Sequence, residues 1–219
     1  MATSTPYLQA LLEAGQFYRR HKGQTIDLYQ AKGTVSLIRD GYIKRYLISK
    51  EGTLGTQSIY GPGYFFPLTA AFVALLDQHI YHGDETYFYE AVTDVQIYSV
   101  KGDVLAAAAE ANPLIYKEVL HEAGRRLQSN IQHLENISLK SAYYRLAHQL
   151  VFLATQFGQP TARGHELILP LTHQDLADDL NLNRETVSRA FGKLRQHNLI
   201  QFDSHIIIPD LEKLKAVYQ

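Results

Sequence analysis

The sequence contains no cysteine, no tryptophan and a single methionine among its 219 residues. Without cysteine the chain can form no disulfide, no cysteine-ligated iron–sulfur cluster and no cysteine zinc site. The longest hydrophobic run, near Leu68–Leu76, is too short to span a bilayer. Residues 1–6 lack the charged-then-apolar layout of a secretory signal. We therefore expect a cytoplasmic protein that has no membrane partner.

Neither sign of charge dominates, because 21 basic residues oppose 22 acidic ones and the net charge is −1. The overall charge therefore does not indicate a nucleic-acid partner. One segment is different: Arg184–Asn198 holds four basic residues against one acid, a local charge of about +3. Any contact with DNA is therefore expected from one helix and not from the whole surface. Hydrophobic residues make up 46% of the chain, an ordinary globular balance.

Residues from about Gln16 to Val100 form short alternating runs that are separated by glycine. Many short strands at this spacing favour a sandwich or a barrel. The predicted strands are Thr25–Tyr29, Val35–Ile38, Tyr42–Ser49, Thr56–Tyr60, Phe88–Val92 and Val95–Val100, with turns at Arg39–Gly41, Lys50–Gly52 and Gly61–Gly63.

The pattern then changes to a helical period. Pro113 suits the first turn of a helix, and no proline follows until after Ile137. An apolar stripe of coiled-coil spacing runs along this predicted helix, formed by Leu120, Gly124, Leu127, Ile131 and Leu134. Two interpretations remain open: the helix packs on its own barrel, or the stripe is the seam of a parallel homodimer. We favour the dimer.

A second helix is predicted over Ser138–Phe157, followed by a loop over Gly158–Gly164 and a short strand over Leu167–Pro170. Next come two short helices. Thr172 and Asp175 have the spacing of a capping box, and Asn183 is placed to cap the second helix after a three-residue turn. This is the pattern of a helix-turn-helix, whose second helix can enter the major groove. Its predicted buried positions are Leu176, Ala177, Leu180, Leu182, Val187, Ala190, Phe191 and Leu194.

The outer face of the second helix carries Arg184, Glu185, Ser188 and Arg189 near its N-terminal end. Arginine can donate two hydrogen bonds to guanine, and glutamate can accept one from cytosine. A plain ion pair between Glu185 and Arg189 is the alternative. Gln201–Ile208 is predicted to form a two-stranded wing around Asp203. The expected contacts with DNA phosphates are Thr172, Gln174, Asn183, Thr186, Lys193 and Ser204 or its neighbour His205.

Residues 184–189, Arg-Glu-Thr-Val-Ser-Arg, resemble the recognition-helix signature of the Crp/Fnr family of transcription regulators. Residues 125–128 resemble the dimerisation helix of that family, and the glycine-spaced strands with residues 91–94 resemble its sensor domain. The resemblance implies an α+β fold with three parts. A β-roll (jelly-roll, cyclic-nucleotide-binding-like) sensor domain would span residues 1–112, a dimerisation helix 113–137, and a winged helix-turn-helix DNA-binding domain 138–219.

The same resemblance implies a function. Arg184, Glu185 and Arg189 would read a TGTGA-like half-site, Ser188 would add a contact used in the Fnr branch, and a homodimer would bind two half-sites related by a dyad. Double-stranded DNA is thus the expected partner, with RNA polymerase as a further candidate. We expect no enzymatic activity and no cofactor.

The sequence departs from the family where cyclic nucleotides bind. The family carries a Gly-Glu pair followed about ten residues later by an arginine for the cyclic phosphate. Here no glutamate follows Gly63, and Leu68–Tyr89 contains no arginine. The Thr-Ser pair that meets the base is replaced by Asn130 and Ile131. Because a buried phosphate without a cation is very costly, we predict that cyclic AMP is not bound in the usual way.

Aromatic residues take the place of that cassette, and they allow either an effector pocket or a self-filled core. The second is favoured because aromatic side chains usually pack. The candidate pocket residues are Phe65, Phe66, Tyr81, Tyr87, Tyr89 and Asn130. His79 and His82 invite a metal interpretation, but exposed histidines on a polar loop are the preferred one, so no metal site is expected. Two other functions stay open: a cupin-type metal-dependent β-roll protein, and a ligand-binding module without DNA readout.

Overall fold

The computed structural model describes residues 15–26, 33–48, 54–76 and 87–219, with the backbone alone for 54–57. The chain divides into two compact units, residues 1–127 and 128–219. No helix among the described residues has the length and hydropathy needed to cross a membrane.

The first unit is built on two four-stranded antiparallel sheets. Its strands are β1 (Gln16–Arg20), β2 (Thr25–Ile26), β3 (Thr34–Asp40), β4 (Ile43–Ile48), β5 (Leu54–Tyr60), β6 (Phe65–Phe66), β7 (Tyr87–Ala91) and β8 (Val95–Lys101). One sheet has the order β1-β8-β3-β6 and the other β2-β7-β4-β5. The predicted β-roll is confirmed.

Glycine makes the predicted turn between β3 and β4. Gly41 has a φ of 82°, a left-handed conformation that other residues rarely adopt. A Cβ at this position would lie 2.1 Å from the carbonyl oxygen of Asp94, so only glycine fits. The predicted turn at Lys50–Gly52 and the part of the predicted first strand beyond Ile26 lie outside the described residues.

Isoleucine and aromatic side chains fill the space between the two sheets. This core consists of Ile26, Ile38, Ile43, Tyr60, Phe66, Tyr89, Ala91, Val95 and Ile97. Alternation along β3 and β8 sends every second side chain to this face. Burying each large apolar side chain contributes about 1.5–3 kcal/mol, so this layer is a main source of the unit's stability.

Two helices that the sequence interpretation did not predict cover the outer face of the first sheet. These helices are α1 (Leu68–Leu76) and α2 (Gly102–Ala111). They form a second core with Val35, Leu37, Phe65 and Val100. The expectation of strands from Gln16 to Val100 was therefore wrong at α1, whose sequence is apolar except at Thr69 and carries no period that distinguishes a helix from a strand.

A single long helix, α3 (Leu114–Ser138), confirms the helix predicted from Pro113 to Ile137. The helix predicted over Ser138–Phe157 begins later, as α4 (Ala142–Phe157). The reason is a cap: the hydroxyl oxygen of Ser141 accepts a hydrogen bond from the backbone N–H of Tyr144, which fixes the helix start there.

The remaining elements of the second unit are β9 (Gln159–Thr161), β10 (Gly164–Leu167), α5 (His173–Leu180), α6 (Arg184–Gln196), β11 (Gln201–Phe202), β12 (Ile206–Ile208) and α7 (Leu211–Lys215). The strands form one antiparallel sheet in the order β11-β12-β10-β9. The predicted two-stranded wing is confirmed by β11 and β12.

The loop predicted over Gly158–Gly164 and the strand predicted over Leu167–Pro170 were wrong. The chain forms the β9–β10 hairpin instead, and β10 ends at Leu167. Pro160 fits because β9 is an edge strand, where a missing N–H is tolerated. Gly164 has a φ of 118°, and a Cβ there would lie 2.3 Å from the carbonyl oxygen of Ile208.

Candidate nucleic-acid interface

The helix-turn-helix begins with a reciprocal cap at α5. The hydroxyl of Thr172 accepts a hydrogen bond from the backbone N–H of Asp175 at 3.1 Å, and the backbone N–H of Thr172 donates to the Asp175 carboxylate at 2.9 Å. Two donors at the helix start are thereby satisfied. The predicted capping box is confirmed.

The turn between α5 and α6 has the three predicted residues. Asn181 ends α5 in a left-handed conformation, and the backbone N–H of Leu182 donates to the carbonyl of Ala177 at 2.9 Å. Asn183 then caps α6, since its side-chain oxygen accepts from the backbone N–H of Thr186 at 2.8 Å. Both helices are thus held by side chains that local sequence spacing specifies.

The two faces of α6 differ in burial. Val187, Ala190, Phe191 and Leu194 are buried, as predicted. On the opposite face Arg184, Glu185 and Arg189 are exposed, as is Lys193. The Arg189 guanidinium donates to the Thr186 hydroxyl at 3.3 Å, and no ion pair joins Glu185 to Arg189 in this fully described helix. The outer face therefore presents two guanidinium groups and one carboxylate, and these groups form no ion pair with one another.

Ser188 differs from its three predicted companions because it is half-buried and already has a partner. Its hydroxyl oxygen lies 2.8 Å from Nδ1 of His173, at the start of α5. The His173 ring also packs against Phe191, with ring centroids 4.8 Å apart. His173 was not among the predicted site residues. It stands 15 positions before Ser188, so no local spacing reveals the contact.

Two titratable groups of α5 have shifted pKa values. Burial, helped by the positive charge of Arg184, lowers the pKa of His173 below its ordinary value. Burial, helped by the negative charge of Asp178, raises the pKa of Asp179 to about 7. The imidazole of His173 is therefore neutral at neutral pH, whereas Asp179 titrates there.

The residues predicted to bind phosphates are not equally free. The hydroxyl and backbone N–H of Thr172 both donate to Asp175, and the Gln174 amide donates to Asp178 at 2.7 Å. Asn183 uses its oxygen for the cap, which leaves its amide N–H groups for another acceptor.

The wing carries its own polar cluster beside an exposed ring. Nδ1 of His205 lies 3.1 Å from the Glu166 carboxylate and 3.3 Å from the Ser204 hydroxyl. Phe202 is 52% exposed although its ring contacts Phe191. Ser204 itself is exposed, as a contact with DNA requires.

The apolar stripe of α3 is exposed. Leu120, Leu127, Ile131 and Leu134 are 71%, 62%, 47% and 62% exposed, and a Cβ at Gly124 would meet no atom within 4 Å. Ile115, Val119 and Glu122 on the other side of the helix are buried. Among the described residues, the packing of α3 therefore leaves the predicted seam uncovered.

Near its middle, α3 carries an ionic cluster. The Arg125 and Arg126 guanidinium groups both donate to the fully buried Glu122 carboxylate, in the case of Arg126 Nε at 3.0 Å. Arg126 also donates to the carbonyl of Phe65 and lies over the Tyr60 ring at 4.1 Å. These two cations thus approach the backbone of Gly63 and Phe65, and Glu122 neutralises one of them.

The residues proposed for an effector pocket are divided between places. Phe65 lies in the helix-covered core, whereas Phe66 and Tyr89 lie between the sheets. Asn130 is exposed on α3, and Tyr81 lies outside the described residues, as do His79 and His82. Phe65, Phe66 and Tyr89 are buried, as a self-filled core requires. Within the described parts of the chain, no group of three or more His, Asp or Glu residues could hold a metal ion.

Comparison with known proteins identifies the C-terminal domain. The Crp-like helix-turn-helix domain family matches residues 144–217. A probable transcriptional activator from Rhizobium leguminosarum bv. viciae is 28% identical over 136 residues, 61% of this chain. A CRP-like cAMP-activated global transcriptional regulator from Mycobacterium tuberculosis is 25% identical over 179 residues, 81% of this chain and 76% of that protein. Residues 144–217 therefore form a Crp-like helix-turn-helix domain.

A solved structure agrees in fold over the full length of this chain. A mutant of CooA from Carboxydothermus hydrogenoformans has a TM-score of 0.77 at 20% identity, and the match covers 100% of this chain and 98% of the other. This likeness confirms the predicted fold of β-roll, long helix and winged helix-turn-helix. The matched region spans 57% of the length of the Rhizobium relative.

Proposed function

We propose that this chain is a transcription regulator that binds a dyad-symmetric, TGTGA-like DNA site as a homodimer. One observation carries the proposal: Arg184, Glu185 and Arg189 are exposed together at the N-terminal end of α6, while the opposite face of α6 is buried. A recognition helix reads base edges with this end. Guanidinium groups suit guanine and a carboxylate suits cytosine, which matches the G and C edges of such a half-site.

Phosphate contacts would fix the position of α6 in the groove without reading sequence. Lys193 and the free amide of Asn183 are the best placed on the helix itself, with Thr186 beside them. Ser204 would add a contact from the wing. Thr172 and Gln174 would contribute only after they release Asp175 and Asp178.

The partner that we propose for the α3 stripe is a second copy of the same helix. The exposed residues alternate at steps of four and three positions from Leu120 to Leu134, the spacing at which a helix packs against its own copy in parallel. Gly124 leaves room for two backbones to approach. A dimer of this kind would present two copies of α6 to two half-sites.

We also propose that DNA binding does not depend on cyclic AMP. The segment from Leu68 to Tyr89 supplies no arginine for a phosphate, and the two arginines near Phe65 already bind Glu122 and backbone carbonyls. A cyclic phosphate would have to displace these contacts. Micromolar binding of cyclic AMP in a calorimeter would contradict this proposal.

Fluorescence anisotropy tests the DNA-binding function. A labelled duplex with two dyad-related TGTGA half-sites is compared with a scrambled duplex of the same composition, without nucleotide and at several salt concentrations. We expect the dyad duplex to bind at least about a thousandfold more tightly, with an affinity that falls as salt rises. Equal affinity for both duplexes, or none for either, would contradict the proposal and favour a module without DNA readout.

A further inference from the structure

The contact between His173 and Ser188 joins the two helices of the helix-turn-helix at a residue of the proposed reading face. Nδ1 of His173 lies 2.8 Å from the Ser188 hydroxyl oxygen, a normal hydrogen-bond distance. Packing against Phe191 holds the imidazole ring in place. The hydroxyl is therefore oriented from within the protein before any DNA arrives.

A serine hydroxyl owns one proton and two acceptor lone pairs. If the hydroxyl donates its hydrogen bond to a neighbouring side chain, its oxygen can only accept further hydrogen bonds. If the oxygen instead accepts a hydrogen bond from that neighbour, the O–H group remains available to donate. The neighbour thus decides what the hydroxyl offers to a base edge.

His173 is neutral at neutral pH, because burial and the nearby Arg184 charge lower the pKa of its imidazole. A neutral imidazole carries one N–H and one lone pair. The lone pair at Nδ1 with the proton at Nε2 is the arrangement that lets Ser188 donate along the 2.8 Å contact.

We propose that His173 determines base specificity by accepting a hydrogen bond from the Ser188 hydroxyl, so that Ser188 presents an oxygen lone pair to the DNA. In the major groove the matching groups are the exocyclic amino groups of adenine and cytosine. His173 is then a positioning residue, which acts through Ser188 without touching the base. The inference rests on the DNA-binding function proposed above.

Three variants of the full-length chain test this assignment. Ser188→Ala removes the reading group. His173→Phe keeps a ring against Phe191 but has no acceptor. His173→Asn places an amide oxygen at the position of Nδ1, and this oxygen can again accept a hydrogen bond from the Ser188 hydroxyl. Each is titrated by anisotropy, at one pH and one salt concentration, against dyad duplexes in which every half-site position carries each of the four base pairs in turn. The thermal unfolding midpoint of each variant is recorded beside its DNA affinities.

At one half-site position the parent protein should prefer adenine or cytosine on the strand that faces Ser188, because only these bases place an amino group there. The preference should be about two- to tenfold, the range of one neutral hydrogen bond. Ser188→Ala and His173→Phe should lose this preference at the same position, and His173→Asn should restore it. Preferences at the positions read by Arg184 and Arg189 should not change.

Two results would overturn the inference. In one, His173→Phe keeps the parent's preference at every position. In the other, it weakens binding to all duplexes alike with preferences intact, which is the behaviour of a phosphate contact. A parent protein without preference at any position would refute the proposed function itself, so the two failures are distinguishable. If one of the two His173 variants fails to fold, the DNA preferences of the other still test the inference.

Discussion

Nε of Arg126 donates to the carboxylate of Glu122 at 3.0 Å, and the carboxylate is fully buried. Arg125 binds the same carboxylate from the other side. The two guanidinium groups also donate to backbone carbonyls of Gly63 and Phe65. One acidic side chain therefore organises the contact between α3 and the segment that follows β5.

Replacing Glu122 with alanine should strongly destabilise the first unit. The substitution leaves two guanidinium groups, one of them largely buried, without a counter-charge. Removing one partner of a buried ion pair lowers the free energy of unfolding by about 3–5 kcal/mol. Denaturant unfolding followed by tyrosine fluorescence measures the change. The matched control is Glu118→Ala on the same helix, which should change the stability by no more than about 0.5 kcal/mol. Equal effects would refute the role of Glu122.

The buried carboxyl of Asp179 should make the second unit less stable as pH rises. Burial raises its pKa to about 7, above the value of 3.8 for an exposed group. Between these values the folded state binds more protons than the unfolded state, so stability falls as pH increases from about 4 to about 7 and then levels off. Asp179→Asn removes this dependence, and at pH 8 it should stabilise the unit by up to about 4 kcal/mol, since each pKa unit corresponds to about 1.4 kcal/mol.

Hydrogen–deuterium exchange of the α5 amides, with parent and variant at the same pH, measures the effect. Protection should be greater in Asp179→Asn at pH 8, and the two proteins should converge at pH 4. The control is Asp178→Asn, which removes the neighbouring charge but leaves a buried carboxyl. Faster exchange in Asp179→Asn at pH 8 would show that the ionised carboxylate stabilises the fold.

The sequence was sufficient to predict the helix-turn-helix almost residue by residue. Thr172, Asp175 and Asn183 specify the helix starts by local hydrogen bonds, and the apolar period specifies the buried faces. The helices α1 and α2 were missed, the first because Leu68–Leu76 is apolar except at Thr69. The alanine run in α2, residues 106–109, was a usable signal, since alanine is the strongest helix former.

At the candidate site too, the sequence predicts local features but not contacts between helices. The exposed charges of α6 follow from its helical period, whereas the His173 contact depends on how α5 packs on α6. The β9–β10 hairpin was also missed, because strands of three and four residues carry almost no periodic signal.

A charge in the middle of the α3 seam should separate the proposed dimer. Leu127→Glu places two carboxylates face to face where a leucine pair would pack, and like charges oppose association in a coiled-coil core. Sedimentation equilibrium should find a dimer for the parent and a monomer for this variant. Leu114→Glu is the control, because Leu114 is 42% exposed on the same helix but outside the stripe. A parent that sediments as a monomer, or a Leu127→Glu variant that remains a dimer, would contradict the proposed seam.

Asn183 should have two separable roles. Asn183→Ala loses the cap of α6 and should lower stability by about 1 kcal/mol. Asn183→Asp keeps an oxygen for the Thr186 N–H and thus the stability, but it replaces an amide donor by a negative charge. If the amide contacts a phosphate, this variant should bind all DNA sequences more weakly. Unchanged DNA affinity would remove Asn183 from the phosphate contacts.

The most direct test of the account compares Arg189→Ala with Lys193→Ala in the affinity ratio between a dyad TGTGA duplex and random DNA. Arg189 is expected to read guanine and Lys193 to bind phosphate, although both are exposed cations of α6. Arg189→Ala should reduce the difference in binding free energy between the two duplexes by about 1–3 kcal/mol. Lys193→Ala should weaken both affinities equally and lower their salt dependence. Equal effects of the two substitutions on specific and random DNA would contradict the account.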